Sequence, residues 1–364
     1  MSNAIQTIFQ KHISTHEFEG LPRQYKVSKC ICNCKTSALG GVKVTCNDCG
    51  AERYIYKSCG NRHCPTCNSL KQLCWQEARE SEYINTDYYH AVFTVPDCLN
   101  SVFLRHQTEC YNLLFGSVSD TLNTLAADPK RLNARIGFIC VLHTWGSTLS
   151  FHPHIHVLLM GCGLNHINKL VFPKGKFLFP VKVMSSLFRG KFLDGLRKLG
   201  FDDTIDYASL YERQWVVYIK ESIPGSKHVI EYLARYIYKT AISDSRIISC
   251  NENSVSFRYK DYRDDAKIKV MSLTSDEFIR RFLLHVLPKG FIRVRFYGLL
   301  SNRNKNDSLT LIRRLLSIPA PTNRFKNKTA IEILKILYGD RYCTCKKCGS
   351  QNLSSSIVPP LSPH

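Results

Sequence analysis

The sequence predicts an α+β protein: an antiparallel sheet with helices forms its core, a small zinc domain of ribbon or knuckle type precedes the core, and a basic extension follows it. Residues 30–68 are rich in cysteine, glycine and asparagine and poor in large apolar side chains. From Tyr88 onward, short β-branched apolar runs alternate with helical stretches. After Pro288 the chain becomes strongly basic. These composition changes separate the three parts.

The same changes set the predicted boundaries. The predicted segments are an N-terminal helical segment (1–29), a zinc-binding domain (30–84), the main core (85–300), a basic region with a CxxC pair (301–350) and a disordered Ser/Pro-rich tail (351–364). Residues 30–68 have too few large apolar side chains to bury a core of their own, so we expect this segment to need a metal to fold.

The elements of the core follow from hydrophobic periodicity. The predicted strands are YYHAVFTV, IGFICVLHTW, FHPHIHVLLM, QWVVYI, SVSFRYK and FIRVRFY. The predicted helices are Leu70–Tyr83, Cys98–Leu125, Val181–Leu199, Val229–Tyr238 and Ser275–Leu287. A Gly-Ser turn within Trp145–Ser150 indicates that the strands on either side are antiparallel neighbours. The sequence lacks GxGxxG and GxxxxGK[ST], which argues against a parallel nucleotide-binding sheet and a nucleotide cofactor.

The formal net charge is +21. Such an excess of cations attracts polyanions, and nucleic acid is the favoured partner. A generally basic solvated surface and attraction to acidic lipid are the alternatives, but amphipathic helices with exposed aromatic residues are not evident. The N-terminus has no signal-peptide pattern, and charged residues interrupt the later apolar runs. We therefore expect a soluble cytoplasmic protein, associated with the nucleoid when it binds DNA, with no membrane partner.

Two CxxC pairs stand out among the seventeen cysteines. Cys46, Cys49, Cys64 and Cys67 follow the spacing C-x2-C-x14-C-x2-C, which predicts one tetrahedral structural Zn²⁺ site. A redox CxxC is the competing interpretation, but it would need a single pair at a strand-to-helix junction. Cys34, Cys59 and His63 lie close in sequence and could replace one of the four ligands or start a second site.

A further pair, Cys345 and Cys348, lies near the C-terminus with Cys343 beside it. It is half a zinc site, and two interpretations remain open. Either distant ligands complete a second zinc site, or the pair forms a reduced turn without a metal. The isolated cysteines within apolar stretches are predicted to be small core residues. They are Cys110, Cys140, Cys162 and Cys250.

Three histidines alternate along one predicted strand. His152, His154 and His156 would project from the same face, while Ile155 points into the core. A pair of imidazoles on one face makes a divalent-metal site. A core histidine is the structural alternative for any one of them, but three alternating rings would leave several polar groups to satisfy. Pro153 indicates an edge or bulge at the strand start, which would turn His152 off this face. His154 and His156 are therefore the predicted ligands, and His152 is a candidate third ligand.

Two tyrosines lie four residues apart on the predicted helix VIEYLARYIYKTAIS. Four residues turn a helix by about 400°, so the hydroxyls of Tyr232 and Tyr236 point the same way, and Tyr238 lies on the opposite side. Such a pair is commonly a core stripe. Together with the charge and the histidines, it predicts a pair of nucleophiles, beside which Arg235 and Lys239 could neutralise phosphate.

At this point the sequence resembles the HUH-type rolling-circle transposases of the insertion-sequence ninety-one group, which carry an N-terminal zinc-binding domain. The resemblance runs through CKTSALGG, SCGNRHCPTC, YYHAVFTVP, LHTWGSTLSFHPHIH, EYLARYIYKTAIS, EFIRRFLLHVLPKGFIRVRFYGLLSNR and the final CxxCG. It implies that His154-Ile155-His156 is the metal-binding HUH element with Mg²⁺ or Mn²⁺. It also implies that Tyr232 and Tyr236 form a 5′-phosphotyrosine intermediate on single-stranded DNA at insertion-sequence ends.

Basic residues around these motifs are the predicted DNA contacts. They are Arg235, Lys239, Arg280, Arg281, Lys289, Arg293, Arg295 and Arg303. A plasmid replication initiator or a relaxase would share the histidine strand and tyrosine helix, but the zinc domain and the basic C-terminal region favour the transposase. A non-catalytic zinc nucleic-acid-binding protein is the alternative from another class, although a binder would need neither the histidines nor the tyrosines.

Overall fold

The computed structural model of the protein describes residues 3–13, 20–175, 178–201, 205–220, 240–319 and 322–361. The helices in these ranges are α1 (Ala4–Ile13), α2 (Pro22–Asn33), α3 (Ser69–Glu80), α4 (Asn100–Arg105), α5 (Gln107–Ala127), α6 (Val181–Leu199), α7 (Tyr207–Glu212), α8 (Ser275–Leu284), α9 (Lys305–Leu316) and α10 (Ala330–Tyr338). The strands are β1 (Gly41–Cys46), β2 (Glu52–Tyr56), β3 (Tyr88–Thr94), β4 (Arg135–Trp145), β5 (Phe151–Leu164), β6 (Leu170–Val171), β7 (Val217–Ile219), β8 (Ile247–Cys250), β9 (Ser254–Asp261), β10 (Lys267–Thr274), β11 (Val294–Gly298) and β12 (Leu353–Val358). None of the helices in this part of the chain has both the length and the apolar composition needed to cross a membrane.

The chain folds into two compact units, and each is discontinuous in sequence. The first comprises Met1–Ala78, Tyr238–Val286 and Asn323–His364, and the second comprises Arg79–Ile237 and Leu287–Thr322. The mixture of helices and antiparallel sheets confirms the predicted α+β class. The division differs from the five consecutive segments predicted, because the C-terminal region is shared between both units.

The second unit is built on a six-stranded antiparallel sheet. Its order is β11-β4-β5-β3-β7, and β6 pairs with the end of β5. The predicted hairpin across the Gly-Ser turn is confirmed, since β4 and β5 pair antiparallel along most of their length. Odd-numbered residues of β3 and β5 and even-numbered residues of β4 pack with helices α5 and α6 in the main core. The other face of the sheet carries the histidines.

The first unit contains two three-stranded antiparallel sheets, β12-β1-β2 and β10-β9-β8. Helix α1 packs against α8, where the rings of Phe9 and Phe282 lie 5.2 Å apart at their centroids. Helix α8 also packs on β9, with Phe278 5.9 Å from Phe257. Strands β1, β2, β8 and β10 were not predicted, because they are short or largely exposed and contain no long apolar run.

Two predicted elements require correction. The helix predicted over Cys98–Leu125 is interrupted at His106, whose backbone (φ −122°, ψ 52°) separates α4 from α5. The tail predicted to be disordered contains strand β12, which pairs with β1 from Gly41↔Val358 to Cys46↔Leu353. This strand was missed because it is mostly exposed and rich in serine, so no apolar periodicity marks it.

Candidate metal centres and catalytic residues

Three histidines converge on the sheet face opposite the main core. His154 and His156 lie two residues apart on β5, and the side chain between them, Ile155, is fully buried in the core. His143 on β4 pairs directly with His154 in the strand register. The ligand nitrogens of the three rings all lie within 4.8 Å of one another. His143 and His156 are buried, whereas His154 is partly exposed.

The spacing of the ring nitrogens fits a shared cation. The Nε2 atoms of His154 and His156 are 3.1 Å apart. An octahedral Mg²⁺ site with bonds of 2.0–2.1 Å places neighbouring ligand atoms about 3.0 Å apart. Imidazole also suits other divalent metals, Mn²⁺ among those the resemblance implies. The donor set present can therefore hold the divalent ion predicted from the sequence.

Hydrogen bonds orient two of the rings. Nδ1 of His154 lies 2.7 Å from the carbonyl oxygen of His152, so it donates a proton there and leaves Nε2 as a lone-pair donor. Nδ1 of His156 lies 3.0 Å from Nε2 of His90 on β3. When Nδ1 of His156 donates to His90, its Nε2 also remains free to bind a metal. The carbonyl of His152 therefore fixes the metal-binding tautomer of His154, and the contact with His90 is compatible with the metal-binding tautomer of His156.

Burial favours the neutral form of three histidines on this face. It lowers the pKa of His154 to about 4, and it lowers the pKa of His90 to about 4 as well. The pKa of His152 is lowered by burial too. Neutral imidazole is the form that binds metals.

The third imidazole of the cluster was missed by sequence reasoning. His152, the predicted third candidate, contributes its backbone carbonyl to His154 and is not part of the converging group. A register shift between His143 and Trp145 lies opposite this end of β5. The sequence contained a signal for His143, because pairing the two strands of the predicted hairpin places it across from the histidine run. His143 is also stacked on Trp145, with ring centroids 4.5 Å apart.

The cysteines form two groups of four, which differ from the predicted site. One group contains Cys34, Cys59, Cys64 and Cys67, and the other contains Cys46, Cys49, Cys345 and Cys348. All seventeen cysteines lie in the described ranges and are free thiols. The prediction that Cys46 and Cys49 share one metal with Cys64 and Cys67 is wrong in this structure. His63 lies outside both groups.

The β1–β2 hairpin explains why the two CxxC pairs separate. Cys46 is the last residue of β1, and Cys49 lies in the turn that leads to Glu52, the first residue of β2. The other group lies near the opposite end, where the amide of Lys35 donates to the carbonyl of Lys57 (3.0 Å). A strand of this length separates its ends by roughly 17 Å at 3.3–3.4 Å per residue. Cysteines at opposite ends cannot share an ion.

The first group is formed from one stretch of chain. The sulfurs of Cys59 and Cys67 are 3.6 Å apart, and the backbone amide of Cys59 donates to the sulfur of Cys34 (3.4 Å). Hydrogen bonds from the Cys59 and Cys64 thiols lower the pKa of Cys67 to about 2. Four converging cysteine sulfurs are the donor set of a structural zinc site, in which each cysteine binds as a thiolate. Cys34 and Cys59, predicted as alternative ligands, complete this group.

The predicted nucleophiles lie outside the described residues. Tyr232 and Tyr236, together with Arg235 and Lys239, fall within residues 221–239. Their roles therefore remain predictions from the sequence.

The predicted DNA contacts within the described ranges fall into different environments. Arg280 and Arg281 both bind the carboxylate of Glu277, so their charge is partly neutralised. Arg293 is buried, and Arg303 is exposed.

Lys289 and Arg295 line a pocket of about 660 Å³ in the second unit. Arg295 lies over the Phe115 ring at 4.1 Å and donates to Asn112. The pocket therefore offers cationic and aromatic groups together, a combination suited to phosphates and bases.

Two protein families match the chain. Residues 137–308, which include the three-histidine cluster, match a family described as "Putative transposase". Residues 4–95 match a family described as "Transposase zinc-binding domain". The class that fold and site define is thus a DNA-processing enzyme with a zinc-binding domain.

Two curated relatives identify the family. The chain is 40% identical over 346 residues to "Putative transposase y4qJ" of Sinorhizobium fredii, covering 89% of this chain and 87% of the relative. It is 26% identical over 347 residues to the transposase for insertion sequence element IS801 of Pseudomonas savastanoi pv. phaseolicola, covering 90% and 82%. No solved structure matches the chain. The chain belongs to the transposases of the insertion-sequence ninety-one group.

Proposed function

We propose that this transposase nicks and rejoins single-stranded DNA at the ends of an insertion sequence, through a covalent 5′-phosphotyrosine intermediate. The observation that carries the proposal is the convergence of His143, His154 and His156 on one face of the sheet, with their donor nitrogens within 4.8 Å. A structural protein that only binds DNA has no need of such a cluster. Membership of a transposase family supplies DNA as the substrate.

His143, His154 and His156 would hold Mg²⁺ or Mn²⁺. A bound divalent ion polarises the scissile phosphate and stabilises negative charge on the departing oxygen. The carbonyl of His152 and the ring of His90 keep the ligand nitrogens of His154 and His156 aimed at one point. The chain thereby fixes the position of the ion before DNA arrives, which lowers the cost of ordering the site.

Tyr232 or Tyr236 would then act as the nucleophile. The phenolic oxygen bonds to phosphorus, the bond between phosphorus and the 3′-oxygen breaks, the phenolic proton passes to water, and the 3′-oxygen takes up a proton. Phenol has a pKa of about 10, so it needs an activated phosphate to react. The phosphotyrosine retains the bond energy, so a 3′-hydroxyl can reverse the step on another strand. Two tyrosines would allow one DNA end to be held while another is cut.

A nicking assay tests the proposal. The full chain, with Mn²⁺, is incubated with labelled single-stranded oligonucleotides that cover both ends of its element, and denaturing gels are used to detect covalent protein–DNA products. We expect a product joined to the 5′ phosphate and a free 3′-hydroxyl fragment. The Tyr232→Phe/Tyr236→Phe double variant should bind the same oligonucleotides without cutting them, whereas Tyr262→Phe, an exposed tyrosine in the first unit, should cut normally. Cutting by the double variant would refute the assignment of the nucleophiles.

A further inference from the structure

The turn of the β1–β2 hairpin and the C-terminal CxxC form two knuckles of the same geometry. In the first, the amide of Gly50 donates to the carbonyl of Cys46 (2.9 Å), and Gly50 has φ +67°. In the second, the amide of Gly349 donates to the carbonyl of Cys345 (2.9 Å), and Gly349 has φ +77°. Glycine is favoured at both positions because side-chain-bearing residues rarely adopt such φ values. Each knuckle directs its two sulfurs to one side.

The four sulfurs of these knuckles fit a tetrahedral zinc ion. Sγ of Cys46 lies 3.6 Å from Sγ of Cys348, and Sγ of Cys49 lies 3.6 Å from Sγ of Cys345. All four lie within 4.8 Å of one another. A tetrahedron with Zn–S bonds of 2.3 Å has edges of about 3.8 Å. A disulfide would require a separation near 2.05 Å, so these contacts do not represent cross-links.

Hydrogen bonds join the two loops around this cluster. The carboxylate of Asp48 accepts from the Ser350 hydroxyl and from the side-chain amide of Asn352 (2.8 Å). The backbone amide of Asn47 donates to the carbonyl of Asn352 (2.9 Å), and the Ser354 hydroxyl donates to the Asn47 side chain (2.9 Å). The loops are thus matched to each other, although about 300 residues of sequence separate them.

Strand β12, which follows the second knuckle, has little apolar surface to hold it in place. Its burial is slight, and its sequence LSSSIV is half serine. Exposed strand pairing of this kind is only marginally stable. A thiolate-bound zinc ion at the end of the strand pair would supply the missing stabilisation, as in other small metal-dependent folds.

We propose that Cys46, Cys49, Cys345 and Cys348 bind a second structural Zn²⁺, separate from the one bound by Cys34, Cys59, Cys64 and Cys67, and that this ion fastens β12 to the N-terminal hairpin. Cys345 and Cys348 lie beyond both matched family regions, which cover residues 4–95 and 137–308. Cys345 and Cys348 therefore complete a sulfur cluster that begins at the β1–β2 hairpin. This proposal does not depend on the nicking activity.

Metal analysis of the purified full chain provides the first test. We expect about two zinc ions per chain in the wild type and about one in the Cys345→Ser/Cys348→Ser variant. Cys343→Ser is the matched control, since Cys343 lies two residues from Cys345 but outside the group, and it should keep about two. A wild-type content of one, or an unchanged content in the double variant, would overturn the proposal.

Alkylation of the wild type tests the same site and does not depend on the folding of a cysteine variant. Cys348 and Cys98 are both exposed, and only Cys348 belongs to a sulfur cluster. In zinc-loaded protein, N-ethylmaleimide should modify Cys98 quickly and Cys348 at least about tenfold more slowly, because zinc-bound thiolates are protected. A zinc chelator should abolish the difference, as read by peptide mass spectrometry. Equal rates in the zinc-loaded protein would contradict the site.

Discussion

At the scale of single residues, the histidine centre depends on which ring nitrogen carries the proton. His154 donates from Nδ1 to a backbone carbonyl, a contact that mutation of nearby side chains leaves in place. His156 instead relies on the side chain of His90, whose Nε2 lies 3.0 Å away. His90 is 3% exposed. We therefore regard His90 as a positioning residue that acts through His156.

Replacing His90 should weaken metal binding. Loss of a hydrogen-bond partner behind a metal ligand lowers affinity by about 10- to 100-fold, so His90→Ala should raise the Mn²⁺ dissociation constant by that factor. His90→Gln, whose amide oxygen can accept the Nδ1 proton of His156, should recover part of the affinity. Titration of free Mn²⁺ by electron paramagnetic resonance measures this.

His285→Ala is the matched control for that experiment. His285 is equally buried, at 3% exposure, but lies in the first unit at the end of α8, so it controls for the loss of a buried imidazole. It should bind Mn²⁺ as the wild type does. Wild-type affinity in His90→Ala would show that the contact with His156 is only packing.

The choice between His143 and His152 as third ligand can also be decided. His143→Ala removes one of the three converging nitrogens and should lower Mn²⁺ affinity by at least about tenfold. His152→Ala keeps the carbonyl that accepts from His154, so its effect should be small. Calorimetric titration of Mn²⁺ compares the two. The reverse order of effects would restore His152 as the third ligand.

At the scale of elements, an ion pair with a buried carboxylate connects helix α3 to the segment that precedes α10. Arg324 donates from Nε (2.9 Å) and Nη2 (2.7 Å) to the two oxygens of Glu77, and its backbone amide donates to the same carboxylate (3.0 Å). Glu77 is 7% exposed and Arg324 is 61% exposed at the side chain. These bonds hold the pKa of Glu77 below its usual range.

Glu77→Gln should therefore destabilise the first unit. We expect a loss of about 1–2 kcal/mol in the free energy of unfolding, at the low end for a charged hydrogen bond because water screens the exposed Arg324. Since the folded-state pKa of Glu77 is lowered, its contribution is present above about pH 4.3, the ordinary glutamate value, and disappears as pH falls through the folded-state pKa. Urea unfolding at neutral and acid pH should show the difference between wild type and variant shrinking in acid.

Glu52→Gln serves as the control for this ion pair. Glu52 also binds a cation, Lys43, but both side chains are substantially exposed. Its replacement should change stability much less, because exposed ion pairs contribute little. If the two variants were equally destabilised, the buried position of Glu77 would not be the cause.

At the scale of the whole molecule, the formal charge of +21 should dominate DNA affinity. Cations that contact phosphate displace the counterions bound there. The logarithm of the affinity for single-stranded DNA should therefore fall linearly with the logarithm of the salt concentration, with a slope of about −0.7 per phosphate contacted. With about six contacts, raising NaCl from about 50 to about 200 mM would weaken binding by about 10²- to 10³-fold. Fluorescence anisotropy at several salt concentrations measures the slope.

Lys289→Ala should reduce that slope by about 0.7, since Lys289 is exposed, lines the pocket and has no ion-pair partner in the described part of the chain. Lys198→Ala is the matched control, because Lys198 is equally accessible in the same unit but is paired with Asp194. It should leave the slope unchanged. Equal slopes for the two variants would show that Lys289 does not contact the DNA.

The sequence by itself determined the features that depend on local geometry. Apolar, β-branched runs marked β3, β4 and β5 as strands, and the pattern from Val181 to Leu199 matched α6 at both ends. The two-residue spacing of His154 and His156 placed both rings on one face, since neighbouring side chains on a strand must alternate. The pairs Cys46–Cys49 and Cys64–Cys67 were likewise predicted as knuckles, because two cysteines three residues apart can converge without help from the rest of the chain.

Only the tertiary structure decided which of these local pieces share a site. The direction of the β1–β2 hairpin separates Cys46 from Cys64, and the pairing of β12 with β1 brings Cys345 to Cys46. The register of β4 against β5 selects His143, and the neighbouring strand β3 supplies His90. These choices depend on contacts between residues far apart in sequence. Spacing constrains only near neighbours, whereas long-range partners are fixed when the strands pair.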